Sequence, residues 1–300
     1  MASPDGRFAP SPTGTLHLGN LRTALLAWLS ARSQDARFLV RIEDLDTGRV
    51  RERFVQEQLH DLAALGLDWD GPVVRQSERL ELYEDAVRRL RDRGLIYECW
   101  CTRAEIRDAS AAPHGHLPEG AYPGTCLHLT AEERAARQAA GRPPALRVHA
   151  GAAAVTFEDR LAGAVTGVVD DFVVRRNDGA FAYNLAVVVD DAEQGIGEVV
   201  RGADLLDSTP RQLWLGAQLG LPAPRHAHVP LMLGADGARL AKRHGVVTLA
   251  DRARLGESPD DVRAGLAASV GLAEPGEPLT PAELVERFDP RALAATVGAV

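Results

Sequence analysis

Lysine is almost missing from this sequence. Of its 34 basic residues all but one are arginine, and the single lysine stands at position 242. Lysine is a compact point charge and arginine a planar fork, so a site built around an ammonium resists the exchange that removed lysine elsewhere. Cysteine is scarce too. There are three, an odd number, and Cys99 and Cys101 are too close for a structural bridge, which argues against a disulfide framework. Long apolar runs are lacking, every candidate being interrupted by Asp, Arg or Gly, so no membrane partner is expected. The first residues carry no basic stretch followed by an apolar one, so no secretory signal is expected and the chain is placed in the cytoplasm. A formal net charge of -8 does not advertise a nucleic-acid binder, and no DNA partner is expected; an RNA needs only a local basic track.

What is present alternates. Residues 7–11 read as a short strand running into Pro12 and Gly14, and the spacing Leu21, Ala24, Leu25, Trp28, Leu29 predicts a helix beginning near Gly19 or Asn20. Residues 38–42 form a buried strand ending in Glu43, Asp44 and Asp46, and helices follow over about 50–65 and around Tyr83, Val87 and Leu90. That alternation predicts a parallel α/β sheet with its site at the strands' C-terminal ends. From Cys99 to Gly179 the texture changes. Thr102 with Glu105 and Thr130 with Glu133 are capping boxes, separated by a loop rich in Pro, Gly and His. Residues 145–174 have β patterning, and Asn177-Asp178-Gly179 is a turn signal. Strands at 198–201 and 228–233 and a helix opened by Ser208-Thr209-Pro210 restore the α/β pattern. Short helices begun by Ser258-Pro259 and Thr280-Pro281 follow. The expected division is an α/β domain in two halves (1–98 and 180–235), an α+β insertion (99–179), and a loop with a helical tail (236–300).

Two stretches suit phosphate chemistry. His17-Leu18-Gly19-Asn20 opens a helix, and helix N-termini offer unpaired N–H groups and partial positive charge to anions. Gly19 permits close backbone approach, and His17 and Asn20 can donate to phosphate oxygens. Arg239-Leu240-Ala241-Lys242-Arg243 follows the turn Ala235-Asp236-Gly237, where a mobile loop with one ammonium can clamp departing pyrophosphate. The competing readings are a Pro-rich turn capping an ordinary helix and a solvated basic loop.

Together these stretches resemble the two signature motifs of the class I aminoacyl-tRNA synthetases. Three further blocks, 7–14, 41–46 and 199–204 with Thr209-Pro210-Arg211-Gln212, resemble glutamyl-tRNA synthetases. Only 57 residues follow Arg243, too few for the helical anticodon-binding region of those enzymes, and this resembles the glutamyl-queuosine tRNA(Asp) synthetases. The resemblance implies a Rossmann-type catalytic domain that makes glutamyl-adenylate from glutamate and ATP and passes glutamate to queuosine in the anticodon loop of tRNA(Asp), received through its anticodon arm. It implies His17, Gly19, Asn20 and Lys242 on ATP, with His17, Asn20 and Lys242 catalytic and Mg²⁺ accompanying the nucleotide. Three alternatives remain: a truncated glutamyl-tRNA synthetase charging a tRNA 3′ end, a small-molecule adenylate-forming relative, and a non-catalytic paralogue serving as a binding module.

For glutamate, Arg201 at a strand end suits the side-chain carboxylate, since a guanidinium pairs with carboxylate bidentately and so favours glutamate over glutamine. A surface ion pair of Arg201 with Asp204 or Asp207 is the plainer reading. Glu43 would hold the α-ammonium. By the resemblance, Arg7, Phe8, Ala9, Pro10, Ser11 and Tyr183 complete the pocket, although Tyr183 alone reads equally as a core residue. Cys99, Cys101 and Cys126 form a plausible Zn²⁺ site, thiolates being preferred zinc ligands, with buried free thiols as the alternative. The fourth ligand is Tyr122 by the resemblance, or His128, chemically the commoner donor.

Overall fold

The computed structural model of the chain describes residues 4–110, 121–234 and 247–292, together with Gly237, Leu240 and Gly245. Its strands are β1 (Gly6–Phe8), β2 (Phe38–Ile42), β3 (Val74–Arg75), β4 (Ile96–Cys99), β5 (Ala145–Val148), β6 (Ala153–Asp159), β7 (Gly163–Val169), β8 (Val173–Arg175), β9 (Glu198–Gly202) and β10 (Arg225–Val229). Its helices are α1 (Leu18–Arg32), α2 (Glu52–Ala64), α3 (Leu80–Asp92), α4 (Arg103–Ser110), α5 (Ala131–Ala139), α6 (Tyr183–Glu193), α7 (Thr209–Leu219), α8 (Leu249–Arg254), α9 (Pro259–Ala268) and α10 (Pro281–Arg287). No helix of the described residues is long and apolar enough to cross a membrane.

The main sheet is parallel, with β1 beside β2 and β2 beside β3. On the other flank of β1, the N–H groups of Gly197 and Glu198 donate to the Asp5 carbonyl at 3.0 and 3.1 Å, which seats β9 against β1. β9 pairs with β10 over five residues, His228 opposite Arg201. The chain thus leaves β1 toward β2 on one side and returns through β9 and β10 on the other. Such a switch of direction opens a crevice at the strands' C-terminal ends.

α1 fills that crevice's floor. The expected stripe is buried, but so are Leu26, Ala27, Ser30 and Ala31, because α1 is covered on nearly all sides. The sheet lies on one flank, while Val262 and Leu266 of α9 and Leu284 of α10 join the same core on another. The expected capping residues Ser258 and Thr280 accept N–H bonds from Asp261 and Glu283. Thr248 caps α8 in the same way, an element the sequence pattern did not single out.

The stretch 99–179 divides between two sheets. β4, β5 and β8 form an antiparallel sheet of their own. The β6–β7 hairpin instead extends the main sheet, with Asp159 beside His226 of β10. β10 also stops earlier than expected, at Val229, because Pro230 has no N–H to continue a ladder.

Candidate active site

A cleft of about 520 Å³ opens where β1 and β9 end and α1 begins. One end of it is built by the turn from Pro10 to Asn20. His17 is the N-cap of α1, with extended backbone (φ -94°, ψ 163°). Its Nδ1 accepts the Asn20 N–H at 3.2 Å, and the Asn20 side-chain oxygen accepts the His17 N–H at 3.2 Å. This reciprocal cap has a chemical consequence: an Nδ1 that accepts carries no proton, so in the neutral ring the proton sits on Nε2 as a donor. The other bond of the cap engages the Asn20 oxygen and leaves its NH₂ to donate. Gly19 leaves room for that ring: a Cβ there would lie 3.0 Å from the His17 Nδ1, and the imidazole would have to shift by a few tenths of an ångström. Gln58 of α2, a residue the sequence reading missed, donates to the carbonyls of Ser11 and Gly14 at 3.2 and 2.7 Å and braces the turn. Long-range support of this kind leaves no local signal.

The opposite end holds a buried charge cluster. Asp191 of α6 accepts from Arg7 at 3.2 Å and from Arg41 at 2.8 Å. Against the upward push of burial, those two guanidinium groups hold its carboxyl down at about 2. Asp190 accepts from Arg79 and from the Tyr83 hydroxyl, at 2.7 and 2.8 Å. Glu43 lies 3.4 Å from Arg41, and burial raises its carboxyl more than Arg41 and Arg7 lower it. Arg7, Arg41 and Arg79 thus balance Asp190, Asp191 and Glu43, three charges against three.

Arg201 is the charge left over. It is 5% exposed, and among the described residues it makes no ion pair with a carboxylate, neither with Asp204 nor with Asp207. Its acceptors are neutral: His228, Gln212, Thr209, the Leu205 carbonyl and the Tyr183 hydroxyl. Tyr183 opens α6 with its ring exposed at the cleft, not in the core. Of the expected residues, Arg7 through Ser11, His17, Gly19, Asn20, Glu43, Tyr183 and Arg201 all line this one cleft. Lys242 and Arg239 lie outside the described residues.

Far along the chain's antiparallel sheet, the sulfur atoms of Cys99, Cys101 and Cys126 lie within 4.8 Å of one another. The Tyr122 hydroxyl stands 3.4 Å from both Cys99 and Cys101 and accepts the Cys126 N–H at 2.9 Å. His128 is exposed and outside this group. Thiolates sharing one zinc lie roughly 3.8 Å apart, so three sulfurs and a hydroxyl this close suit a tetrahedral ion. Asp170 accepts from the Tyr122 N–H at 3.2 Å and from Arg211 of α7 at 2.7 Å, which ties this cluster to the helix behind Arg201.

Residues 5–272 match the family model of tRNA synthetases class I (E and Q), catalytic domain. The chain is 60% identical over 288 residues to the glutamyl-Q tRNA(Asp) synthetase of Nocardia farcinica, covering 96% of this chain and 90% of that one. It is 53% identical over 296 residues to the protein of the same name from Symbiobacterium thermophilum, covering 95% and 92%. Among solved structures, a glutamate tRNA ligase from Elizabethkingia meningosepticum in complex with its amino acid superposes with a TM-score of 0.83 at 26% identity. That match covers 99% of this chain and 66% of the ligase, just under two thirds of its length.

Proposed function

The chain belongs to the class I tRNA synthetases of the E and Q type, and within them to the glutamyl-Q tRNA(Asp) synthetases, and from that membership we propose the reaction its cleft carries out. Glutamate is activated with ATP and transferred to queuosine-modified tRNA(Asp). In the first step an oxygen of the α-carboxylate attacks the α-phosphorus, the bond to the departing pyrophosphate breaks, and glutamyl-adenylate forms. In the second, a queuosine hydroxyl in the anticodon loop attacks the activated carbonyl, AMP leaves with the bonding electrons, and the hydroxyl gives up its proton.

The roles assigned to residues follow from charge and donor geometry. Arg201, whose hydrogen-bonded neighbours among the described residues are all neutral, takes the side-chain carboxylate, and this is the observation that carries the reading. Glutamine offers that charge no counter-ion, so the guanidinium selects against it. Glu43 takes the α-ammonium, whose arrival keeps its carboxyl ionised. The Nε2–H of His17 and the NH₂ of Asn20 donate to phosphate oxygens as negative charge grows in the transition state. Lys242 is the cation proposed for the β- and γ-phosphates, and Mg²⁺ travels with ATP. Zinc, where bound, is held by Cys99, Cys101, Cys126 and the Tyr122 hydroxyl. There it supplies a structural tether rather than a reacting group.

Glutamate-dependent ATP–pyrophosphate exchange, followed by transfer of labelled glutamate to tRNA(Asp) with and without queuosine, tests this reading. Label is expected on the modified anticodon loop alone, and label on the 3′-terminal adenosine overturns it. Arg201→Leu is expected to lower kcat/KM for glutamate by about a hundredfold or more, the worth of a lost bidentate charged pair.

A further inference from the structure

We propose that Asp159 and His228 form a positioning pair that sets the plane of the Arg201 guanidinium and thereby its preference for a carboxylate; this rests on the assignment of Arg201 to the glutamate side chain. All three residues are buried, on the adjacent strands β6, β10 and β9.

Arg201 has five N–H groups and five acceptors, and they fall into two sets. Three bonds are short: Nε to His228 Nε2 at 3.0 Å, one terminal nitrogen to Gln212 Oε1 at 2.9 Å, and the other to Thr209 Oγ1 at 2.8 Å. Two are long, both 3.4 Å, one on each terminal nitrogen: to the Tyr183 hydroxyl and to the Leu205 carbonyl. The long partners line the cleft, and the three short partners stand behind it. An arriving carboxylate therefore replaces two weak bonds, one per terminal nitrogen, in the arrangement a bidentate fork needs. The short bonds decide which way the fork faces.

Among these anchors, only His228 depends on which of its atoms carries a proton. Its Nε2 faces the Arg201 Nε–H at 3.0 Å, a group that can only donate, so it must offer a lone pair; the Thr209 hydroxyl stands 3.2 Å from the same nitrogen. The ring proton then belongs on Nδ1, where the Asp159 Oδ2 accepts it at 2.6 Å. The other oxygen of Asp159 is occupied by the N–H groups of Leu161 and Ala162, each at 3.0 Å, and of His228 at 3.3 Å. The carboxylate cannot turn, so the tautomer is fixed. Burial also lowers the affinity of His228 for a second proton, in keeping with a neutral ring beside Arg201.

Asp159→Asn is the isosteric test. The three backbone donors hold the amide oxygen in place, which turns its NH₂ toward the His228 Nδ1. The ring proton must move to Nε2, where it meets the Arg201 N–H donor to donor. In ATP–pyrophosphate exchange, KM for glutamate is expected to rise about tenfold or more, the worth of one charge-assisted hydrogen bond. KM for ATP is expected to stay unchanged, and the preference for glutamate over glutamine to fall by a similar factor. An unchanged KM for glutamate, or both KM values rising together as in general loosening, overturns the proposal. Should Asp159→Asn not fold, the pair His228→Gln and His228→Leu decides. The former keeps an acceptor for Arg201 and is expected to retain glutamate affinity, and the latter to lose it; equal behaviour overturns the proposal. A wild-type protein without glutamate-dependent exchange overturns instead the assignment of glutamate itself.

Discussion

Arg41 and Arg201 are both buried, and their surroundings divide structural from recognition chemistry. Arg41 sits among Asp190, Asp191 and Glu43, so its charge is answered within the protein. Among the described residues Arg201 hydrogen-bonds only to neutral groups, a costly state that the proposed glutamate carboxylate would relieve. His17 shows a different economy, since its backbone cap and its tautomer are set by one bond. Gly19→Ala tests that coupling. A Cβ pressed within 3.0 Å of Nδ1 must displace the ring and stretch a cap bond already 3.2 Å long. Losing the cap costs about 1 kcal/mol, and kcat/KM for ATP in pyrophosphate exchange is expected to fall by about tenfold, with KM for glutamate little changed.

Among the elements, α7 carries most of the site's indirect support. Thr209 and Gln212 on its first turns bond Arg201, and Pro210 beside them packs against Gly167 of β7. At Gly167 a Cβ would fall 2.5 Å from Pro210 Cγ, so an added methyl must push the helix N-terminus away. Gly167→Ala is expected to cost about 1–3 kcal/mol of stability in urea unfolding and to raise KM for glutamate, although the residue touches no substrate. The cysteine cluster is a second support. With zinc bound, a chelator is expected to lower Tm and expose the segment around Cys99 and Cys126 to protease. Cys126→Ser is expected to lose the metal by elemental analysis. Through Asp170 and Arg211 the disturbance should reach α7, so KM for glutamate is expected to rise with metal loss.

For the whole molecule, acid sensitivity is the clearest forecast. His226 is buried, and burial followed by the nearby Arg201 charge lowers its pKa to about 3. His228 is lowered as well. A histidine that stays neutral when folded but charges when unfolded stabilises the fold only above its unfolded value. As pH falls below about 6.5, each such ring costs about 1.4 kcal/mol per pH unit until its folded value is reached. Asp191 and Asp159, both held near 2, add a second loss below about pH 4. The urea midpoint is expected to fall steadily from pH 6.5 downward, and a midpoint flat to pH 4.5 would contradict the histidine contribution.

The sequence by itself determined the local matters: the strand–helix alternation, the caps at Thr130, Ser258 and Thr280, and the turn that leads into α1. It also carried the family, because those blocks stand in order along the chain. Such features depend on neighbours a few residues apart, and backbone chemistry reads them directly. Only the tertiary structure decided that β6 and β7 leave the insertion to join β10, since strand partners far apart in sequence are chosen by burial and register. It likewise decided that Tyr122, rather than His128, meets the sulfurs, and that His228, itself bonded to Asp159, stands with Thr209 and Gln212 around Arg201. Asp159, His228 and Arg201 stand on three different strands, and a hydrogen bond across 69 positions leaves no trace in either residue's neighbourhood.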